Sequence, residues 1–398
     1  MIFVFCVQLF MTEPVCAETV EPPDQGTLYS KACALVDGDS GRLLYGKEER
    51  LTLPNASTTK ILTCIVAMEN CNPDEVVTFS KKAAAQPKVH LGTKEGEQFY
   101  LKDLLYGLML ESYNDCACAI AEHVSGSVEK FAEKMNEKAK EIGCTDSHFV
   151  TPNGLDATDE GGEHHTSAYD LCKIMSYCAW KSPKAAEFLA LTQTKSHTFQ
   201  SLSGTGYAVS NKNAFLDMMD EAITGKTGYT AKAGYCYVAA VEEGGRHYAI
   251  ALLACGWPNH KTYRWSDAKT LFSYGLNAYH LYRGSKENLT IEDVKVAGGY
   301  EKGTLQEWGA HAKLSLSVDA DPAYMTFLKA DSDTAEMKKQ INDSITLPVR
   351  KGQKVGSISY CINGEEIYSC PILARNAVET WNIEKFFRVL LEEVLLKE

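Results

Sequence analysis

The chain has 398 residues, 45% hydrophobic and 23% charged, the balance of a soluble globular protein with room for two domains. A formal net charge of -12 argues against nucleic acid as a partner. Its 14 cysteines are scattered, several of them inside apolar segments (Cys64, Cys172, Cys255), so they read as small core residues whose order implies no pairing.

In chain order, the apolar run Met1–Met11 precedes Val15-Cys16-Ala17, a small-residue pattern suited to signal-peptide cleavage after Ala17, so residues 1–17 are expected to direct export. The run is too short to span a bilayer. Gly38-Asp39-Ser40-Gly41 lies between Ala34-Leu35-Val36 and Leu43-Leu44-Tyr45 and reads as a hairpin turn. Trypsin-like chemistry at Ser40 is excluded, because no histidine precedes it.

Pro54-Asn55-Ala56 then starts a helix whose apolar residues, Ile61, Leu62, Cys64, Ile65, Val66 and Met68, cover nearly all faces, as in a buried central helix. Ser57 falls in its first turn, with Lys60 one turn later on the same face. A serine hydroxyl needs a neighbouring base to become a good nucleophile. Lysine serves as that base only when burial or positive charge lowers its pKa, and Lys226 offers the second charge.

Ser112-Tyr113-Asn114 separates two apolar stretches, Leu104–Leu110 and Asp115–Ala121, and reads as a loop between helices. Cys116 and Cys118, two residues apart, point to different faces. Phe131, Met135, Ala139 and Ile142 mark one stripe of a largely helical region that runs to about Trp180. His164-His165 stands in a Gly-rich, charged setting, and no H-E-x-x-H or C-x-x-C pattern occurs, so a plain loop and no metal are expected.

Strand-like sequence flanks Lys226-Thr227-Gly228, and a closing helix follows near Ser266–Asn277. These elements predict an α/β (α+β) sandwich, helices on a mostly antiparallel sheet, over residues 18–285. Residues 286–375 read as a small β-rich domain, with alternation at Leu314, Leu316 and Val318 and again at Ile345, Leu347 and Val349. Asn363-Gly364 marks a hairpin there. Residues 376–398 place Ile383, Phe386, Phe387, Leu390, Leu391 and Val394 on one face of an amphipathic helix. Five acidic residues against three basic ones after Val378 weaken its attraction to anionic lipid.

Taken together, Ser57-Thr58-Thr59-Lys60, Ser112-Tyr113-Asn114 and Lys226-Thr227-Gly228 match in order the S-x-x-K, S-x-N and K-T-G strings of serine acyl-transferases that act on peptidoglycan peptides and penicillin. From about Leu35 onward the chain resembles the serine-type D-alanyl-D-alanine carboxypeptidases, the low-molecular-weight penicillin-binding proteins. Leu53–Ser57, His148–Leu155, Tyr229-Thr230 and Ala233-Gly234-Tyr235 add to the likeness. The resemblance implies a β-lactamase/DD-peptidase-like fold with Ser57 as acylated nucleophile and Lys60 as its base. It implies proton transfer and substrate positioning by Ser112 and Asn114, and a carboxylate pocket of Lys226 and Thr227 backed by Arg264. Gly228 lets substrate lie close to the strand, and the backbone N–H groups of Ser57 and Tyr229 form the oxyanion hole. Tyr229 stands where many relatives carry histidine, and Lys212 where some carry arginine.

The expected activity is removal of the terminal D-alanine from peptidoglycan pentapeptide stems, without cofactor, with β-lactams as covalent inhibitors. The resemblance also implies a β-rich module that spaces the site from the membrane and a C-terminal helix lying on the membrane surface. A β-lactamase is the first alternative, but no E-x-x-L-N string lies between Asn114 and Lys226 to activate a deacylating water, so a long-lived penicilloyl adduct is predicted. A non-catalytic cell-wall scaffold is the second.

Overall fold

The computed structural model describes residues 20–283, 291–300, 311–318, 326–342 and 345–395, so the expected signal peptide lies outside the described residues. Five antiparallel strands form the central sheet: β1 (Ala32–Asp37), β2 (Leu43–Lys47), β3 (Ala222–Thr230), β4 (Gly234–Glu243) and β5 (Arg246–Leu253). They lie in the order β2-β1-β5-β4-β3, so the first and last strands pair with each other inside the sheet and β2 and β3 form its edges. The Gly38–Gly41 stretch is the β1–β2 turn, as its composition predicts.

The sheet is buried on both faces, which explains why its strands read as continuous apolar runs rather than as alternation. Ala32, Ala34, Ala249 and Ala251 face one core, and Leu35, Tyr248, Ile250 and Leu252 face the other. Small alanines on the first face let helix Ala168–Ser176 approach closely enough for the Cys172 thiol to reach the carbonyls of Ala34 and Ala249. Helix Tyr263–Ala278 covers the second face through Leu271 and Phe272. Helix α1 (Lys60–Asn70) lies within the first core with every residue from Lys60 to Ala67 buried, as its all-round apolar pattern predicts. All described cysteines are free thiols, most of them buried.

The β-rich region has its own core around Val355, Ile358, Ile372 and Val378. Its sheet pairs Lys354–Ile362 with Glu365–Ala374 across Asn363-Gly364, both of which adopt positive φ, as a type I′ hairpin turn requires. The alternating run Ile345–Val349 is not a strand; it makes only the bridge from Val349 to Val378, and Pro348 has no N–H for a ladder.

The two regions join through strand Tyr279–Arg283, which pairs with Thr326–Ala330. Arg42 crosses the junction: its Nη2 donates to the Leu328 carbonyl at 3.1 Å and to Asp333 Oδ2 at 2.8 Å. Both side chains of that ion pair are buried, at 7% and 9% exposure. Helix Ile383–Leu395 ends the described chain, and among the described residues no helix is long and apolar enough to cross a membrane.

Candidate active site

Ser57 sits in a 3₁₀ turn, Ala56–Thr59, that feeds directly into α1, rather than in the α-helix itself. Ala56 is held at φ +48°, a strained conformation for alanine. Thr58 and Thr59 close the turn by donating to the carbonyls of Asn55 and Ala56, at 2.7 and 2.9 Å. Lys60 therefore points back to the serine, with Nζ 2.9 Å from Ser57 Oγ. The same amine donates to Asn114 Oδ1 at 2.9 Å and to the Asn153 carbonyl at 2.8 Å.

Lys60 is fully buried, and among the described residues no carboxylate is in hydrogen-bond contact with it. Burial first, and next the nearby charge of Lys226, push its pKa well below the ordinary lysine value. Lys226 is also buried, and its burial, followed by the charge of Arg264, brings it to about 7. Its Nζ donates to Ser112 Oγ and to the Thr227 carbonyl, both at 2.9 Å.

Ser112 and Asn114 reach the site because the preceding helix widens into a π-turn, Gly107–Glu111, and Ser112 then adopts left-handed φ +67°. A new helix begins at Asn114. The buried Asp115 accepts hydrogen bonds from the backbone of Leu91 and Gly92, tying that stretch of chain to this loop, while Asn114 Nδ2 donates to the Pro87 carbonyl.

Lys226, Thr227, Gly228 and Tyr229 all belong to edge strand β3. A Cβ at Gly228 would lie 3.0 Å from the Ser57 amide nitrogen and from the Asn55 carbonyl, so the glycine lets the strand pack against the Ser57 turn. Tyr229 is exposed, its ring against Tyr235. Arg264 lies over the rings of Tyr235 and Trp265, and its charge helps lower Lys226. Lys212 pairs with Glu111 at 3.1 Å.

The structure thus gathers these residues into two hydrogen-bonded groups, Lys60 with Ser57 and Asn114, and Lys226 with Ser112, near enough for the Lys226 charge to act on Lys60. Sequence reasoning assigned no role to Asn153, although the string His148–Leu155 that contains it carried part of the resemblance. His164 lies in a loop, as expected, but its ring is only 4% exposed and packs behind the Ser57 turn. Among the described residues, Cys71, Glu75 and His123 could together hold a metal ion. His123 lies nine residues along the helix from Asn114, about 13 Å at the rise of an α-helix, and is already paired with Glu75.

Residues 17–254 match the peptidase S11 family, described as D-alanyl-D-alanine carboxypeptidase, and residues 285–380 match the C-terminal domain of penicillin-binding protein 5. The chain is similar to D-alanyl-D-alanine carboxypeptidase DacF of Bacillus subtilis, 29% identical over 87% of this chain and 85% of that one. It is 35% identical to DacB2 of Mycobacterium tuberculosis over 61% of this chain and 80% of the relative. The solved structure of penicillin-binding protein 5 from Haemophilus influenzae superposes with a TM-score of 0.70 at 23% identity, over 90% of this chain and 99% of that one, a likeness of fold. By the match over its catalytic region, the chain belongs to the D-alanyl-D-alanine carboxypeptidase family.

Proposed function

We propose that this protein removes the terminal D-alanine from peptidoglycan pentapeptide stems through an acyl-enzyme on Ser57. One observation carries the reading. A neutral amine has two N–H groups and one lone pair. Asn114 Oδ1 and the Asn153 carbonyl use the two N–H groups of Lys60, which leaves the lone pair for the Ser57 hydroxyl 2.9 Å away.

In the proposed cycle Ser57 Oγ attacks the carbonyl between the two D-alanines and Lys60 Nζ takes its proton. The N–H groups of Ser57 and Tyr229 receive the oxyanion. Ser112 accepts from Lys226 and relays a proton. It gives its hydroxyl proton to the departing amine and takes in its place the one Lys60 received from Ser57, which leaves Lys60 neutral for the water that follows. Lys226 and Thr227 hold the substrate's terminal carboxylate, with the Arg264 charge behind them. Water then releases the shortened stem. A β-lactam enters the same steps and remains bound when deacylation is slow.

The test is incubation of the purified protein with a fluorescent penicillin and with diacetyl-Lys-D-Ala-D-Ala, following adduct mass on Ser57 and D-alanine release together. A stable adduct with D-alanine release is expected, and Ser57→Ala abolishes both. A rapidly decaying adduct would make the protein a β-lactamase, and neither signal would leave a non-catalytic cell-wall scaffold.

The reading extends to place and organisation. Residues 1–17 act as a signal peptide, so the protein works outside the cytoplasmic membrane, with a catalytic domain over 18–285 and a β-rich spacer over 286–375. The C-terminal helix lies on the membrane surface. Ile383, Phe387, Leu390 and Leu391, all exposed, support that placement.

A further inference from the structure

Behind the nucleophile turn stands a histidine that no step above uses. Both His164 nitrogens are engaged. Nδ1 accepts from the backbone N–H of Val150 at 3.0 Å and of Thr151 at 3.3 Å. A ring nitrogen that accepts carries no proton, so the single proton of the neutral ring is on Nε2. Burial keeps the ring neutral, lowering its pKa to about 3, with the charges of His148 and His165 acting in the same direction.

Nε2–H then donates to Thr59 Oγ1, 2.9 Å away. That oxygen also accepts from Asn55 Nδ2 at 2.8 Å, which fills both of its acceptor sites. Its own O–H is left for one partner, the Ala56 carbonyl at 2.9 Å. The peptide between Ala56 and Ser57 is planar and trans, so its C=O and N–H point in opposite directions, and fixing the carbonyl aims the Ser57 N–H. A Cβ at Gly154 would come within 1.8 Å of the Ala56 oxygen, so the carbonyl is also confined sterically.

We propose that His164 is a positioning residue for acylation: through Thr59 it fixes the Ala56–Ser57 peptide so that the Ser57 N–H faces the developing oxyanion. This rests on the proposed function, since it assigns a geometry to that same site. The chain of hydrogen bonds runs from a loop nearly a hundred residues downstream to the peptide preceding the nucleophile. It also holds Ala56 in a backbone conformation that alanine avoids.

The experiment compares His164→Ala and His164→Gln with the unaltered protein. Glutamine presents an oxygen to accept from Val150 and an N–H to reach Thr59, whereas alanine presents neither. The second-order rate of penicillin acylation is expected to fall roughly 10- to 100-fold in His164→Ala, less than outright loss of an oxyanion donor, and to recover largely in His164→Gln. Rates are normalised to the fraction of molecules that finally form adduct, which removes loss due to misfolding. Non-covalent affinity for diacetyl-Lys-D-Ala-D-Ala, measured in a Ser57→Ala background, is expected to be unchanged by His164→Ala. An unchanged normalised rate in His164→Ala, or a well-folded His164→Gln as slow as alanine, overturns the proposal. Nitrogen NMR of labelled histidine supplies a readout independent of activity: a neutral ring protonated at Nε2 is expected, and protonation at Nδ1 overturns the assignment. If the unaltered protein forms no adduct, the proposed function fails instead, and the nitrogen spectrum still decides the hydrogen-bond assignment.

Discussion

Among the described residues, two places bury lysine or arginine side chains, and they do so in opposite ways. At the domain junction Arg42 meets the Asp333 carboxylate at 2.8 Å and donates a further hydrogen bond to the Leu328 carbonyl. Burial, the largest single influence, raises the Asp333 pKa, but the hydrogen bonds from Arg42, the Ala330 backbone and Asn363, together with the Arg42 charge, outweigh it and hold the carboxyl below its ordinary value. In the site, Lys60 and Lys226 contact hydroxyls, an amide and carbonyls, all neutral, and each depresses its own proton affinity by burial. A buried cation with a partner anion is a structural tie. One surrounded by neutral acceptors holds its proton more weakly than an ordinary lysine.

The sharpest way to break this comparison is Lys60→Arg, which keeps a cation where the proposed chemistry needs a neutral base. Acylation by penicillin, followed by stopped flow, is expected to fall about 1,000-fold, within the range for loss of a general base. A rate within tenfold of the unaltered protein would remove the distinction. Next in size, Asp333→Ala leaves Arg42 buried without its anion and is expected to cost about 3 kcal/mol in denaturant unfolding. The folded fraction should acylate at the normal rate.

The pH dependence of stability sharpens the contrast further. Lys226 is at about 7 in the folded protein, against an ordinary lysine value of 10.5. Between those limits the unfolded chain binds the proton and the folded chain does not, so the group's contribution to stability grows as pH rises through the window and is complete above it. Comparing urea unfolding at pH 7 and pH 9, the unaltered protein should gain more than Lys226→Met over that interval. Equal changes would place Lys226 outside the titrating groups. Smallest of all, Arg264→Gln removes the second cause of the lowered Lys226 pKa, so the pH–rate profile is expected to move upward by less than about one unit. A shift downward would contradict the arrangement.

Local elements were largely legible. The hairpin at Gly38–Gly41, the buried helix after Ser57 and the Asn363-Gly364 turn all follow from patterns that operate within one or two turns of chain. Ile345–Val349 misled because alternation alone does not supply ladder partners, and Pro348 withdraws a donor. The loop at His164 was legible, but the burial of its ring was not, because the elements that enclose it are remote in sequence.

The sequence by itself determined which reactive groups are present and that Ser57 and Lys60 share a face, because a spacing of three residues acts through local backbone geometry. It also determined the strings that place the chain in its family. Only the tertiary structure decided the protonation states, the contact of Asn153 with Lys60, the tautomer of His164 and the Arg42–Asp333 tie. Those depend on loss of water and on charges and hydrogen-bond partners brought together from distant parts of the chain, and neither burial nor long-range proximity is written in local residue order.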